Sequence, residues 1–250
     1  MQAYFTLTRR ELGSFFVSLM GYVVIAVVVF LMGLSFVSLV TKLQGDPTSI
    51  PITEIFYNTA YFWLILLFSA PIITMRLFSL EKFSGTFETL MTAPVSDVQV
   101  VLAKFTAALI FYVVLWLPLL GCVLILRYFT KDPTLLDPGA LGGTFLGIFL
   151  LGSLYMALGC FASALTRSQI IAAMTSFAIG LSLFILSFLA EQLPMEKSWG
   201  SNVLNYISMR EHMLDFSRGV VDTRHVVFYV SATAFFLFLT YRVVESRRWK

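Results

Sequence analysis

Six stretches of this chain contain no Asp, Glu, Lys or Arg, and nothing else in the sequence constrains the fold as strongly. They lie between Glu11 and Lys42, Glu54 and Arg76, Lys104 and Arg127, Asp137 and Arg167, Arg167 and Glu191, and His225 and Arg242. A helix needs roughly 20 mostly apolar residues to cross the hydrocarbon core. Five stretches suffice; the last is short and needs another turn through His225. Lipid offers the backbone no hydrogen-bond partners, so only helices and closed barrels span it. The alternating pattern of barrel strands is absent. The expected fold class is therefore all-α integral membrane, with six transmembrane helices in a single domain over residues 1–250. The spans are expected at about 20–41, 57–76, 103–127, 139–165, 169–190 and 224–243. Charged residues make up only 12% of the chain, about half the share in soluble domains.

Basic residues favour the cytoplasmic side of a membrane. With both termini inside, 10 of the 17 Lys and Arg are cytoplasmic and 7 are external. The clearest marker is the cluster Arg242, Arg247, Arg248 and Lys250. Arg9-Arg10 precedes an apolar run as in an export signal, but that run reaches Val40 without a small-residue cleavage site. It is read as an uncleaved first span. Before it, residues 1–19 read as an amphipathic helix at the cytoplasmic headgroup layer. Phe5, Leu12, Phe16 and Leu19 share a stripe, and Arg9, Arg10 and Glu11 lie off it. The alternative is a cytoplasmic extension of span one.

The largest cytoplasmic loop, 77–102, follows span two. Gly85 ends a continuing helix, residues 86–92 form a short segment closed by Pro94, and Ser96 with Gln99 makes a capping box for the next helix. A short helix held below the membrane has the shape of a docking element; the plainer reading is a connector. The outer loop, 191–223, contains a second capping box, Ser208 with Glu211, and a stop at Gly219. Met209, Met213, Phe216 and Val220 form its apolar stripe, opposite Arg210, Glu211, Asp215 and Arg218. Pro71 and Pro118 are expected to kink spans two and three. Span four carries Gly143-x-x-x-Gly147, Ser153-x-x-x-Ala157 and Gly159-x-x-x-Ser163, spacings that let helices approach closely. That face packs either within the chain or across a dimer.

Several chemistries are missing. No Asp, Glu, Lys or Arg lies near the middle of a span, where proton relays and ion-coupled carriers place such a group. The two histidines, His212 and His225, both fall in the outer segment, away from any buried protease site, and share no metal-ligand spacing. Cys122 and Cys160 lie in apolar stretches and read as packing residues. A net charge of +3 without a dense basic run does not suit a nucleic-acid partner. There is no phosphate-binding loop of the G-x-x-x-x-G-K-[ST] type, so the chain is not expected to be an enzyme. What remains is a membrane bundle with one elaborate loop and no energy source of its own.

Arg76, Glu81, Lys82, Gly85, Thr86, Glu88, Thr89, Leu90, Thr92, Pro94 and Lys104 form a pattern that resembles the loop of ABC-2-type permeases. Arg10-Glu11-Leu12 with Phe15, Phe16 and Ser18, then Gly21 to Val24, is similar to the gliding-motility-type branch. So are Arg218-Gly219-Val220-Val221-Asp222 and the closing Glu245 to Trp249. The resemblance covers essentially the whole chain. It implies an ABC-2, type V exporter-like half-transporter in the bacterial inner membrane. Such a subunit pairs as a homodimer or heterodimer with a second permease and binds a cytoplasmic ABC ATP-binding subunit. The chain itself then binds no cofactor; ATP and Mg belong to the partner. The docking residues implied are Glu81, Lys82, Gly85, Thr86, Phe87, Glu88, Thr89, Leu90, Met91, Thr92 and Pro94, with Phe87, Leu90 and Met91 as apolar anchor. The branch often works with an extracytoplasmic-domain protein, which another chain would have to supply. Two functions fit: ATP-driven export of an unidentified substrate, or mechanotransmission to an external partner with nothing crossing. A membrane scaffold is a third.

Overall fold

A computed structural model describes residues 2–43, 52–57, 59–88, 95–130, 137–192 and 206–246. The helices are α1 (Gln2–Val17), α2 (Leu19–Leu43), α3 (Ile52–Tyr57), α4 (Ala60–Thr74) and α5 (Ser79–Ser84). They continue with α6 (Asp97–Thr130), α7 (Pro138–Leu165), α8 (Gln169–Gln192), α9 (Met209–Ser217) and α10 (Thr223–Ser246). Among the described residues there is no strand. Six helical segments are long and apolar enough to cross a membrane: Leu19–Lys42, Ala60–Ser84, Asp97–Tyr128, Pro138–Leu165, Gln169–Leu189 and Thr223–Ser246. The last is 24 residues long, extended at both ends beyond its uncharged run. After an even number of crossings, the first and last described residues lie at one end of the bundle, the terminal end; α4, α7 and α10 start from the far end.

The centre of the bundle is α7. Its apolar window is 78% buried, against 17% for α10 and 22% for α8, and it packs on α4, α6, α8, α9 and α10. The physical reason is its row of small residues. Apolar burial does not drive association between helices in lipid, so close packing and hydrogen bonds must. A methyl group added at Gly159 would sit 2.0 Å from Thr74 Oγ1 of α4, and one at Gly152 would sit 2.1 Å from the Tyr112 ring of α6. Gly143 and Gly147 abut Phe216 and Met213 of α9. These small residues pack within the chain. Both α4 and α6 continue as helix past Pro71 and Pro118.

The local signals also take physical form. Ser96 N–H donates to Gln99 Oε1 and Gln99 N–H to Ser96 Oγ, each at 3.3 Å, the reciprocal bonds of a capping box. Ser208 caps α9 by accepting from Glu211 N–H at 3.5 Å. Gly85 (φ 75°) and Gly219 (φ 80°) adopt the left-handed conformation that ends a helix and costs a glycine little. Because Gly219 turns the chain, Val220 leaves the helical stripe of α9; it is 55% exposed while Met209, Met213 and Phe216 are buried. Val220 therefore does not extend the stripe as its spacing suggests.

The N-terminal helix is packed more closely against the spans than a purely interfacial helix. Tyr4 OH donates to Thr106 Oγ1 at 2.9 Å, and Phe15 stacks on Phe111 of α6 with ring centroids 5.0 Å apart. Phe16 meets the same ring edge-on at 5.3 Å. Phe5 and Arg9 face outward. The elbow falls at Ser18, so Leu19, counted with the amphipathic stripe, begins α2 and is 82% exposed.

Candidate functional site

At the terminal end, the loop after α4 is fastened to different helices by neighbouring side chains of α5. Glu81 turns toward α1 and α6. Its Oε1 lies 3.0 Å from Arg10 Nη2 and 2.9 Å from Lys104 Nζ. The same two cations hold Glu11 Oε1, at 2.6 Å and 3.1 Å. Lys104 is 3% exposed at its side chain and also sits 5.4 Å over the Phe78 ring. A lysine this deep is tolerated only when paired; here two carboxylates face two cations. Burial pushes the Glu11 carboxyl up, but Lys104 and Arg10 outweigh it and hold the group below its ordinary value. The Glu11 contribution is thus present above the ordinary carboxylate range and is lost as pH falls through the lowered value.

Lys82 turns the other way, toward α7. Its ammonium donates to the Ala164 carbonyl, one of the acceptors left open in the last turn of that helix. It also lies 5.2 Å over the Phe87 ring. One residue earlier in α7, Ser163 Oγ accepts from the N–H groups of Phe78 and Ser79, both at 3.1 Å, and donates to Met75 O at 3.1 Å. The loop's first half is therefore bound to α1, α6 and α7 together.

Past this anchorage the surface opens. Thr86 and Glu88 are exposed, and residues 86–88 are helical. Phe87, expected to serve as an apolar anchor for a partner, is 7% exposed because it packs beneath Lys82. Phe83, one turn away, is instead 77% exposed. Sequence reading passed over Phe83 because it sits on the polar-looking stretch around Glu81 and Lys82. Thr89, Leu90, Met91, Thr92 and Pro94 lie outside the described residues. The pairing of Arg10 and Glu11 with Glu81 and Lys104 was equally hidden, since it joins positions 71 and 93 residues apart.

The far end is closed by α9. Arg218 grips Glu54 through two bonds, Nε to Oε2 at 2.9 Å and Nη2 to Oε1 at 3.0 Å. Tyr57 OH donates to Arg210 O at 2.7 Å, and Thr53 Oγ1 to Ser217 O at 2.7 Å. His212 is buried, with Nδ1 lacking a hydrogen-bond partner among the described residues, and its ring lies on that of His225 with centroids 3.9 Å apart. His225 Nε2 is 3.0 Å from Asp215 Oδ2. Burial, reinforced by His225, pushes His212 down to about 4, against the opposing pull of Asp215 and Asp222. The folded protein therefore resists protonating His212, and stability should fall as pH drops from about 6.5 toward 4. Thermal unfolding of the purified chain across that range should show the slope, and His212→Gln should flatten it.

The arrangement consists of a bundle of six helices long and apolar enough to cross a membrane, a braced loop at one end and a fastened helix at the other. No curated protein matches the chain. A family model described as "ABC-2 family transporter protein" matches residues 42–209, about two thirds of the chain, including α4, the braced loop and the central helix α7. The chain belongs to the ABC-2 transporter family, as a multi-pass membrane component that is not itself the ATPase.

Proposed function

We propose that this chain is the permease subunit of an exporter in the bacterial inner membrane, with its terminal end and both termini in the cytoplasm. A separate ABC ATP-binding subunit hydrolyses ATP, with Mg, and docks against the loop after α4. The observation that carries this reading is the double fastening of α5. Glu81 ties it to α1 and α6, and Lys82 ties it to α7. A push on the exposed segment is thus delivered to three helices at once, as energy coupling from outside the bilayer requires. The segment beyond the fastening docks as a short helix in a groove of the partner. Phe83, on the adjoining turn of α5, supplies an apolar contact and Glu88 a polar one; Thr89 to Thr92, outside the described residues, are proposed to belong to the same docking surface. Two copies, or this chain with a second permease, complete the pathway between them.

Within the family, the gliding-motility-type branch is favoured by Arg218 and the residues following it. Arg218 fastens α9 to Glu54 at the far end, where an extracytoplasmic partner would read a movement of α9. Mechanotransmission is therefore the second reading. Accumulation of a substrate in a deletion strain supports export, whereas a purely mechanical defect supports the second.

Detergent pull-down of the tagged chain from its native membrane tests the docking. The wild type should recover an ATP-binding-cassette subunit. Glu88→Lys and Phe83→Asp should insert normally and weaken recovery, the latter by about tenfold or more, as for a central apolar contact. Undiminished recovery with both variants would displace the interface; no ATPase in any mild detergent would remove the permease mechanism.

A further inference from the structure

The run from Ala60 to Ser84 is long and apolar enough for one continuous helix, yet it is broken into α4 and α5 at residues 75–78. Nothing local explains the break. Residues 72–84 contain neither Gly nor Pro, and Pro71 disturbs the carbonyl of Leu67, a turn earlier. The departure falls at Phe78, whose φ is −118°, against about −63° in a continuing helix. Thr74 O accepts from Leu77 N–H, only three residues on, at 3.1 Å. In a continuous helix the N–H groups of Phe78 and Ser79 would donate to Thr74 O and Met75 O. Here both donate to Ser163 Oγ of α7 at 3.1 Å, and that hydroxyl donates to Met75 O at 3.1 Å. One side chain thus stands in for two rungs of the helix. Thr74, Phe78, Ser79 and Ser163 are fully buried, so water cannot take its place.

The Gly159-x-x-x-Ser163 spacing of α7 supplies both halves of this arrangement. Gly159 lets α7 come against Thr74 of α4, where an added methyl group would meet Oγ1 at 2.0 Å. Ser163, one turn on and on the same face, then reaches the backbone just past Thr74. We infer that Ser163 is a positioning residue that holds α4 and α5 apart, and that without it the two close into one helix. The exchange conserves hydrogen bonds. The N–H groups of Phe78 and Ser79 pass from Ser163 Oγ to Thr74 O and Met75 O, so neither is left bare in the interior. Because α5 carries Phe83 and leads into Thr86 and Glu88, the break sets the direction in which the docking segment is presented. The break belongs to the chain's own geometry; its use in docking rests on the permease reading above.

Pulsed electron paramagnetic resonance on the purified full chain tests this, with spin labels on cysteines placed at the exposed positions Leu64 and Ser84. Cys122 and Cys160 are replaced by alanine in that background. A continuous helix puts the two labelled positions about 30 Å apart. Ser163→Ala should shift the distance distribution to that value. It should lower the unfolding temperature by no more than about 2 °C, because helix bonds replace those lost. Ser153→Ala removes another buried hydroxyl of α7, bonded to Leu150 O and Thr233 and away from the break, and should leave the distance unchanged. Recovery of an ATP-binding-cassette subunit in the detergent pull-down should fall with Ser163→Ala, although Phe83 and Glu88 are intact. An unchanged distance in Ser163→Ala overturns the inference. So does a loss of roughly 5 °C or more, or failure to fold, since either means that two buried N–H groups were left bare. A shifted distance with undiminished recovery supports the role of Ser163 and displaces the docking interface instead.

Discussion

Replacing Lys104 with methionine is expected to lower stability by about 3–5 kcal/mol, the cost of breaking a buried ion pair from one side. Methionine preserves most of the side-chain volume, so the loss is electrostatic. Glu11 and Glu81, only 12% and 16% exposed at their side chains, would then share a single cation. That cation, Arg10, is 55% exposed and more weakly held. Two carboxylates so placed, with one cation between them, repel each other. The damage should therefore be relieved by removing the excess charge: Lys104→Met with Glu81→Gln should recover much of the stability that Lys104→Met alone loses. Thermal unfolding of the purified variants measures this coupling between the two positions. If the single and double variants unfold at the same temperature, the network does not brace the terminal end. ATPase recovery by Lys104→Met should fall in parallel, because α5 loses its tie to α1 and α6.

Gly159→Leu is expected to be as damaging through packing alone. The nearest atoms to an added Cβ are Thr74 Oγ1 at 2.0 Å, Cβ at 2.5 Å and Cγ2 at 2.7 Å. Thr74 is buried, β-branched and hydrogen-bonded to Ala70 O at 2.8 Å, so moving it aside costs that bond and its packing. Either α4 and α7 separate or the chain fails to assemble; overpacking costs about 1–3 kcal/mol and occasionally more. The loss of the close interface, itself a main source of association in lipid, adds to this. Gly142→Leu on the same helix is the control, since nothing lies within 4 Å of its added Cβ. Size-exclusion profiles and unfolding temperatures of the two variants should diverge; similar behaviour would show that α7 does not need its small face.

The comparison of these two sites shows where sequence reading reaches its limit. Gly159 was visible as part of a small-x-x-x-small row, because close approach leaves a residue-size signature at helical spacing. Its partner was not, because a row of small residues states that something packs there and is silent about what. Phe87 and Phe83 show the same limit on a smaller scale. Both are aromatic, four residues apart on one short stretch, and only the packing around them, Lys82 over Phe87 included, makes one covered and the other bare.

The sequence by itself determined the six spans, the helical class, the end of α5 at Gly85, and the caps at Ser96 and Ser208. These follow from the solvent and from local backbone chemistry: lipid forbids charge over a span, and caps and left-handed glycines act within a few residues. Only the tertiary structure decided that α7 is central and that Arg10, Glu11, Glu81 and Lys104 form one network. Those outcomes depend on which helices come together, and a pairing energy exists only once residues 71 or 93 positions apart share one buried site.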